Sequence, residues 1–563
     1  MRRFVAPLAL TLSIALSACA PGASPPPVSA ASTPVVTATP TTPPKLIVAV
    51  SVDQFSADLF AQYRQHYTGG FARLMTGAVF PAGFQSHAAT ETCPGHSTLM
   101  TGAHPSRTGI IANNWFDPAS PRGDKPIYCA EDESDPASSA RNPVVSAVHL
   151  KVPTLGEMMK KANPATRNVA VSAKDRAVMM MGGHDIDAAY WWKGAGFVTL
   201  GGRELSPAVQ AENAAVTAEL KRGAPAIAAP AWCASNDHAV NVGKAAVGTY
   251  RFDLAPDKPD QFRISPRMDG ATVDLANSLV DEMQLGKGPA TDVLSVSLSA
   301  TDYIGHATGT EGVEMCIQMA QLDQNLGRLF DHLDSLGIDY VVVLSADHGG
   351  LDTPERADEQ AFPRAIRADK SLMPAELSKA VAAKTGIVTK GPLLIADGPF
   401  GDFYVSREIG PDQRAVVVKA LVATLKTNPQ VAAAFTHDEL AVTPMPAGNP
   451  QDWTLKDRAR ASFDPARSGD VVVLLDRAVT PIPEAMPGMY IATHGSAFDY
   501  DRRVPILFWR KGIHGFEQPQ PVETVDIAPT LAQIVGLKVP DGTFDGRCLD
   551  VDGGPGNTCE ANK

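Results

Sequence analysis

Val342-Val343-Leu344-Ser345-Ala346-Asp347-His348-Gly349-Gly350 reads as a buried strand that stops at a carboxylate and an imidazole. Its apolar run is rich in β-branched residues and short, and the glycine pair behind it lets the chain bend so that two adjacent polar side chains converge. Three other segments repeat the trait: Val48-Ala49-Val50-Ser51-Val52-Asp53, Ser299-Ala300-Thr301-Asp302-Tyr303-Ile304-Gly305-His306 and Ala492-Thr493-His494-Gly495. An open α/β sheet carries its ligand-holding groups just beyond the carboxyl ends of its strands. These scattered residues therefore read as one site.

The stretches between them supply the rest of such a sheet. A strand at 45–52 leads into helical spacing between Phe55 and Leu74. Helical patterns at 155–162, 273–285 and 314–336 precede strand-like runs at 168–172, 292–297 and 340–344. Near the C-terminus a strand at 504–509 is followed by a helix at 526–535 with Pro529 in its first turn. Helices alternating with strands imply an α/β fold, a three-layer sandwich around a mostly parallel sheet. Two stretches interrupt the alternation, about 185–261 and about 351–488, and are expected to be inserts that cap the strand ends. Tyr190-Trp191-Trp192 is expected to fill a small core of the first insert.

The catalytic body is expected to span 45–563. Before it, residues 1–20 combine Arg2 and Arg3, an apolar stretch from Phe4 to Leu16 and the small residues Ser17-Ala18-Cys19-Ala20, the pattern of an export signal. Leu16-Ser17-Ala18-Cys19 fits a lipoprotein box that would lipidate Cys19, and Ala18-Cys19-Ala20 fits ordinary signal cleavage. Both leave the protein outside the cytoplasm, as a periplasmic protein, an outer-membrane lipoprotein or a secreted one. Residues 21–44 are uncharged and rich in Pro, Ala and Thr, which suits a leader or tether. The net charge of −12 is spread without long runs, which argues against a nucleic-acid-binding surface. Membrane contact is expected only through a lipid on Cys19, and nothing in the sequence marks an oligomeric state. Six of the seven cysteines follow the signal and form no CxxC pair, so disulfides are expected. Cys548 with Cys559 is the clearest pair. Cys93 is expected to bridge, with Cys129 as partner, rather than to act as a thiol.

Asp302 and His306 are four residues apart, on one face of a helical turn, and can hold one divalent ion with His494. Asp53, Asp347 and His348 can hold a second and leave one position open. Thr92, in Ala89-Thr90-Glu91-Thr92-Cys93-Pro94-Gly95-His96, is the expected nucleophile, with Thr90 its nearest rival. A threonine hydroxyl needs a metal to become an effective nucleophile near neutral pH. Two dications would balance three carboxylates and one alkoxide, so a dianionic phosphate ester needs further cations. Lys174 and Arg176 follow the 168–172 strand and would point the same way if the chain stays extended; the Asn113 amide is a third contact. His96 is read as an outer partner of the site or a core hydrogen-bonding group. A structural calcium at Asp541, Asp545, Asp550 and Asp552 competes with simple turn formation, which the spacing favours.

Taken in order, Val52-Asp53, Thr92-Cys93-Pro94-Gly95-His96, Asp302 with His306, Asp347-His348-Gly349, Thr493-His494-Gly495 and Val525-Asp526-Ile527-Ala528-Pro529-Thr530-Leu531 resemble the alkaline phosphatase superfamily. The narrower resemblance is to its threonine-nucleophile branch, which holds nucleotide pyrophosphatase/phosphodiesterases and a group of exported bacterial alkaline phosphatases. It covers about residues 45–549. The resemblance implies an alkaline-phosphatase-like fold and two zinc ions, one on Asp302, His306 and His494, the other on Asp53, Asp347, His348 and Thr92. It also implies a phosphothreonine intermediate, with Asn113, Lys174 and Arg176 matching the residues that contact phosphate in monoesterase members. Diesterase members lack the Lys-x-Arg pair. The expected function is therefore an exported alkaline phosphatase acting on small-molecule phosphate monoesters. The alternatives are a nucleotide pyrophosphatase/phosphodiesterase and a surface lipoprotein whose degenerate site only binds phosphate or a partner. A sulfatase is disfavoured, because Cys93-Pro94-Gly95-His96 lacks the C-x-P-x-R pattern.

Overall fold

The computed structural model describes residues 42–122, 125–486 and 488–559. The expected signal at 1–20, with Cys19, and nearly all of the expected leader lie outside the described residues. At the centre of a ten-stranded sheet, Leu46–Val52 runs parallel to Asp292–Leu298 on one side and to Tyr340–Ser345 on the other. Asn168–Ser172 and Ala188–Lys193 extend the parallel set, and Gly196–Thr199 closes that edge antiparallel. Toward the other edge Arg503–Arg510 is antiparallel to both Tyr340–Ser345 and Ala78–Phe84. The sheet is thus mixed but mostly parallel.

Every residue of Leu46–Val52 is buried, because helices cover both faces of the sheet. Leu46, Val48, Val50 and Val52 pack with Leu275 and Leu279 of the Pro266–Met283 helix and Leu322 and Leu326 of the Val313–Ser335 helix. Ile47 and Ala49 face the opposite layer, with Leu99, Leu155, Met159 and Leu531. That alternation of contacts along one strand is the three-layer sandwich read at residue level. The register also aligns the strand ends. Ser51 pairs with Ser297 and with Ser345, and Ser297 pairs with Ser172. Four neighbouring strands stop at one level, and Asp53, Lys174, Asp302 and Asp347 follow within a few residues of those stops.

The 351–488 stretch folds around its own antiparallel sheet, ordered Leu394–Ile395, Gly401–Val405, Val471–Leu475, Val431–Thr436, and packed against the Pro374–Thr385 and Pro411–Leu425 helices. The 185–261 stretch departs from expectation. Ala188–Lys193 and Gly196–Thr199 belong to the central sheet, and Tyr190, Trp191 and Trp192 pack into its main cores, not into a core of their own. Of the rest, Pro207–Arg222 packs on Pro266–Met283, the Cys233–Cys316 disulfide ties its segment to the Val313–Ser335 helix, and the hairpin of Val240–Val242 and Ala245–Val247 packs with Ala485 and Ile491. The stretch's Ala, Gly and Pro content obscured a two-sided buried strand that carries no polar alternation. The other disulfides join Cys93 to Cys129 and Cys548 to Cys559, so Cys93 offers no thiol.

The acidic C-terminal segment is not gathered into a calcium loop. Asp545 accepts from the His104 amide and Arg107, Asp552 accepts from the His514 amide, and Asp550 accepts from the Thr558 amide. These carboxylates fasten loops to the body of the protein, which is the turn-forming role.

Candidate active site

Each site residue is held by the element that follows a strand stop. Asp302 and His306 stand one turn apart on the buried Ala300–Thr308 helix, whose first amide donates to Asp269 Oδ1 at 2.9 Å. Asp302 Oδ1 lies 3.3 Å from His306 Nε2 and 3.5 Å from His494 Nε2. Asp53, which ends the central strand, lies with its Oδ1 3.3 Å from His96 Nε2, and Asp347 Oδ2 lies 3.3 Å from both His348 Nε2 and His96 Nδ1. Two donor groups result, Asp302 with His306 and His494, and Asp53 with His96 and Asp347. They adjoin, since the His348 and His494 rings stack at a centroid distance of 3.6 Å.

His348 therefore reaches the second group through Asp347, whereas His96 stands between both of its carboxylates. His96 is the site residue that sequence reasoning undervalued. The available signal was its spacing of four from Thr92, which puts it on the same face of the Thr92–Thr101 helix.

The four imidazoles share one device. Nδ1 of His96, His306, His348 and His494 sits 2.8–2.9 Å from the backbone carbonyls of Thr92, Ala492, Gly349 and Thr90 respectively. A carbonyl only accepts, so each Nδ1 carries a proton, and Nε2 of His306, His348 and His494 is then left to present a lone pair. Burial alone would lower His96, but Asp347 and Asp53 outweigh it and raise the ring, which favours a second proton on its Nε2 until a metal displaces it. Thr90 is bound a second time to the same loop, its Oγ1 donating to the Ser496 carbonyl at 2.7 Å.

This donor set fits divalent metal ions. Asp302 Oδ1, Asp347 Oδ2, His96 Nε2 and His348 Nε2 are buried and have no hydrogen-bond partner, which is costly for polar atoms unless something else satisfies them. Three buried carboxylates face a single lysine, Lys174, whose Nζ bridges Asp302 Oδ2 at 2.6 Å and Asp53 Oδ2 at 2.9 Å. Burial alone would raise Asp302, but Lys174 and His306 outweigh it and hold the carboxyl well below the usual range. Lys174 and His96 do the same for Asp53, while burial and the Asp53 charge push Asp347 up. Burial lowers His348 to about 3, and burial with its neighbour His348 holds His494 well below the ordinary imidazole range. Neutral imidazoles beside crowded carboxylates are ligands, not ion-pair partners.

Thr92 is the first residue of its helix and is buried beside this centre. The helix N-terminus directs backbone amides toward anions. Arg176 Nη2 lies 3.4 Å from Thr92 Oγ1. The chain does not stay extended after Lys174: a helix starts at Asp175, and Arg176 enters the site from its first turn, while Lys174 reaches the carboxylates from the residue before it. The Asn113 Oδ1 accepts the Cys93 amide at 2.8 Å, which leaves Nδ2 as the donor end of a residue that lines the cleft. Thr90, the rival nucleophile, is engaged with the His494 loop.

A cleft of about 600 Å³ opens beside Thr92, with Glu91, Asn113, Arg176, His306 and His494 on one side and residues of the 351–488 insert, among them Phe400, Asp402 and Tyr404, on the other. Glu91 was not foreseen. It accepts the Asn113 amide at 2.8 Å, and burial chiefly, with Asp397 and Asp402 adding to it, pushes its carboxyl up to about 7.

The family described as type I phosphodiesterase / nucleotide pyrophosphatase matches residues 47–497. The chain is 53% identical over 520 residues to the alkaline phosphatase PhoK of Sphingomonas sp, covering 92% of this chain and 93% of that protein. It is 48% identical over 523 residues to the alkaline phosphatase PhoD of Zymomonas mobilis subsp. mobilis, covering 92% and 89%. The crystal structure of wild type alkaline phosphatase PafA superposes with a TM-score of 0.78 at 26% identity, covering 91% of this chain and all of that one.

Proposed function

The chain belongs to the type I phosphodiesterase / nucleotide pyrophosphatase family, and from that premise we propose that it is an exported alkaline phosphatase, hydrolysing phosphate monoesters with two zinc ions and a phosphothreonine intermediate. Its likeness to PhoK and PhoD over most of the chain supports the phosphatase activity. The observation that carries the monoester reading is Arg176, a guanidinium lining the cleft 3.4 Å from the Thr92 hydroxyl. A monoester presents two negative oxygens where a diester presents one, and a planar guanidinium beside the nucleophile matches the former.

Asp302, His306 and His494 would hold one ion, and Asp53, Asp347, His348 and Thr92 the other, with His96 beside the second; when bound, the pair supplies Lewis-acid activation and neutralises charge on the attacking and leaving oxygens. Thr92 Oγ1 attacks phosphorus, the bond to the ester oxygen breaks, and the alcohol departs into the cleft. Water then attacks the phosphothreonine and returns Thr92 with release of phosphate. Arg176 and the Asn113 amide hold the equatorial oxygens in line for both attacks. Lys174 keeps Asp53 and Asp302 ionised and oriented. Three disulfides among the described residues support an oxidising compartment and hence export.

The test compares a phosphate monoester with a matched diester on zinc-loaded protein, with Arg176→Ala and Thr92→Ala variants. Monoester preference that falls by about 10²-fold or more in Arg176→Ala is expected, with no acid-stable phosphoprotein in Thr92→Ala. Diester preference indifferent to Arg176→Ala would move the enzyme to the phosphodiesterase branch.

A further inference from the structure

The cleft that receives the departing alcohol is lopsided in charge. Arg176 is the one lysine or arginine among its lining residues, set against Glu91, Asp397, Asp402 and Glu484. Arg176 belongs to the phosphate end. Glu484 is neutralised at the rim by Lys370 at 2.8 Å. The other three carboxylates rest on uncharged donors: Glu91 on the Asn113 amide, Asp397 on Asn114 Nδ2 at 3.2 Å, and Asp402 on the Gly469 amide at 2.6 Å. Burial raises Asp397 and Asp402, so they are ionised at alkaline pH, where an uncharged donor leaves their negative field intact. Asp397 and Asp402 both come from the insert and line the cleft near Glu91, Asp397 through its bond to Asn114, the neighbour of Asn113.

The remaining wall is apolar, with the aromatic rings of Phe116, Phe400, Tyr404, Phe463 and Tyr490 set among aliphatic residues. Tyr490 stacks on His306 at a centroid distance of 4.0 Å, which places an exposed ring next to the metal-ligand group. Aromatic faces carry negative quadrupole charge and attract ammonium groups, and the attraction grows when the cation is partly desolvated. Rings and unneutralised carboxylates around one cavity thus favour the same kind of guest.

We propose that Asp397 and Asp402 make this a cation-selecting cleft: among phosphate monoesters, the enzyme prefers those whose leaving group carries an ammonium, and discriminates against leaving groups that carry a carboxylate or further phosphate. This deepens the monoesterase reading and rests on it. With the phosphoryl group against Arg176 and Thr92, the ester oxygen points outward and the alcohol portion extends between the rings toward Asp397 and Asp402. A trailing ammonium meets opposite charge there, and a trailing phosphate meets like charge in a partly dry cleft, where neither is fully screened.

Three aryl phosphates of one shape test it, with a para ethyl chain ending in methyl, ammonium or carboxylate. On the metal-loaded full chain, kcat/KM is expected to fall in the order ammonium, neutral, carboxylate, by about tenfold between the extremes or more. In the Asp397→Asn, Asp402→Asn double variant, which keeps both side-chain acceptors, the spread should shrink to about twofold, chiefly through KM. Because the readout is a ratio between substrates, any misfolded fraction of the variant cancels. Raising the ionic strength of the unsubstituted enzyme should compress the spread independently of any variant. Equal kcat/KM for the three esters, or a spread untouched by the double substitution, overturns the proposal. Failure to hydrolyse any of the three overturns the monoesterase reading itself, and the proposal with it.

Discussion

Replacing Gly95 with alanine tests how tightly the nucleophile is coupled to the metal-ligand segment. Gly to Ala inside a helix ordinarily stabilises by about 1 kcal/mol. Here the sign reverses. A Cβ on Gly95 would sit 1.9 Å from the Asp347 carbonyl oxygen, 2.6 Å from its carbon and 2.8 Å from its Cα, all backbone atoms that cannot rotate away. Ordinary contact begins near 3.4 Å, so the Thr92–Thr101 helix and the Asp347 segment must separate by about 1.5 Å. Overpacking of that kind costs about 1–3 kcal/mol, which outweighs the gain in helix propensity. The same separation carries Thr92 away from Asp347 and Arg176, and a misplacement of about 1 Å costs on the order of 10² in rate. Calorimetry and monoester kinetics on Gly95→Ala should therefore show a lower Tm together with a loss of kcat of at least that size. A variant with raised Tm and full kcat would mean that the close approach is not what positions the nucleophile.

Other perturbations have equally definite outcomes. Chelation should abolish turnover and added zinc should restore it; metal analysis of Asp302→Ala and of His348→Ala should each show a fall from about two ions per chain to about one, and a His348→Ala protein that keeps both ions would transfer the ligand role to His96. Asp501 is a buried carboxyl that burial pushes up to about 7, so the folded protein holds its proton more tightly than the unfolded chain does. Its contribution is present below the unfolded value near 4 and is lost as pH rises through 7. Asp501→Asn should accordingly gain stability relative to the unsubstituted protein on going from pH 5 to pH 9, by a few kcal/mol at most, in parallel denaturant titrations; an unchanged difference would show that the group titrates normally. Removing the Cys233–Cys316 bridge, which closes 83 residues, by a Cys233→Ala, Cys316→Ala pair should cost about 2–5 kcal/mol while leaving KM for monoesters unmoved, because the bridge lies on the outer helical layer away from the cleft.

The central strands and the dispersed ligand groups were legible because buried parallel strands announce themselves as short apolar runs and because open sheets put function at their ends. Asp53, Asp302 and Asp347 follow such runs directly. What escaped was information carried by packing in three dimensions. His96 looks like one of several polar residues in a buried helix until the approach of Gly95 to Asp347 brings it between two carboxylates. Ala188–Lys193 looked like part of an insert because its flanks are loop-like, although Tyr190 and Trp191 pair with Val171 and Ser172 as ordinary sheet neighbours. Lys174 and Arg176 were expected to meet the phosphate together from an extended chain; a helix starts between them, and Lys174 turns to Asp53 and Asp302 while Arg176 lies beside Thr92. Asp397 and Asp402 had no local signal, since each is an unremarkable acidic residue beside a glycine until the insert folds over the cleft.

His494 arrives at the site only after the chain has left the sheet at Tyr340–Ser345, built the 351–488 insert and returned. Its ring and loop are nevertheless also pinned from outside that excursion. The Thr90 carbonyl fixes its ring and the Thr90 hydroxyl fixes its loop at Ser496, so the nucleophile segment itself sets where this ligand stands. The insert is in this sense an exchangeable module: its length and surface are free to drift, or to be replaced by grafting, provided that the returning loop delivers Thr493-His494-Gly495-Ser496 to Thr90. Substrate preference, carried by the insert, and phosphoryl chemistry, carried by the sheet, are thereby inherited as separate traits.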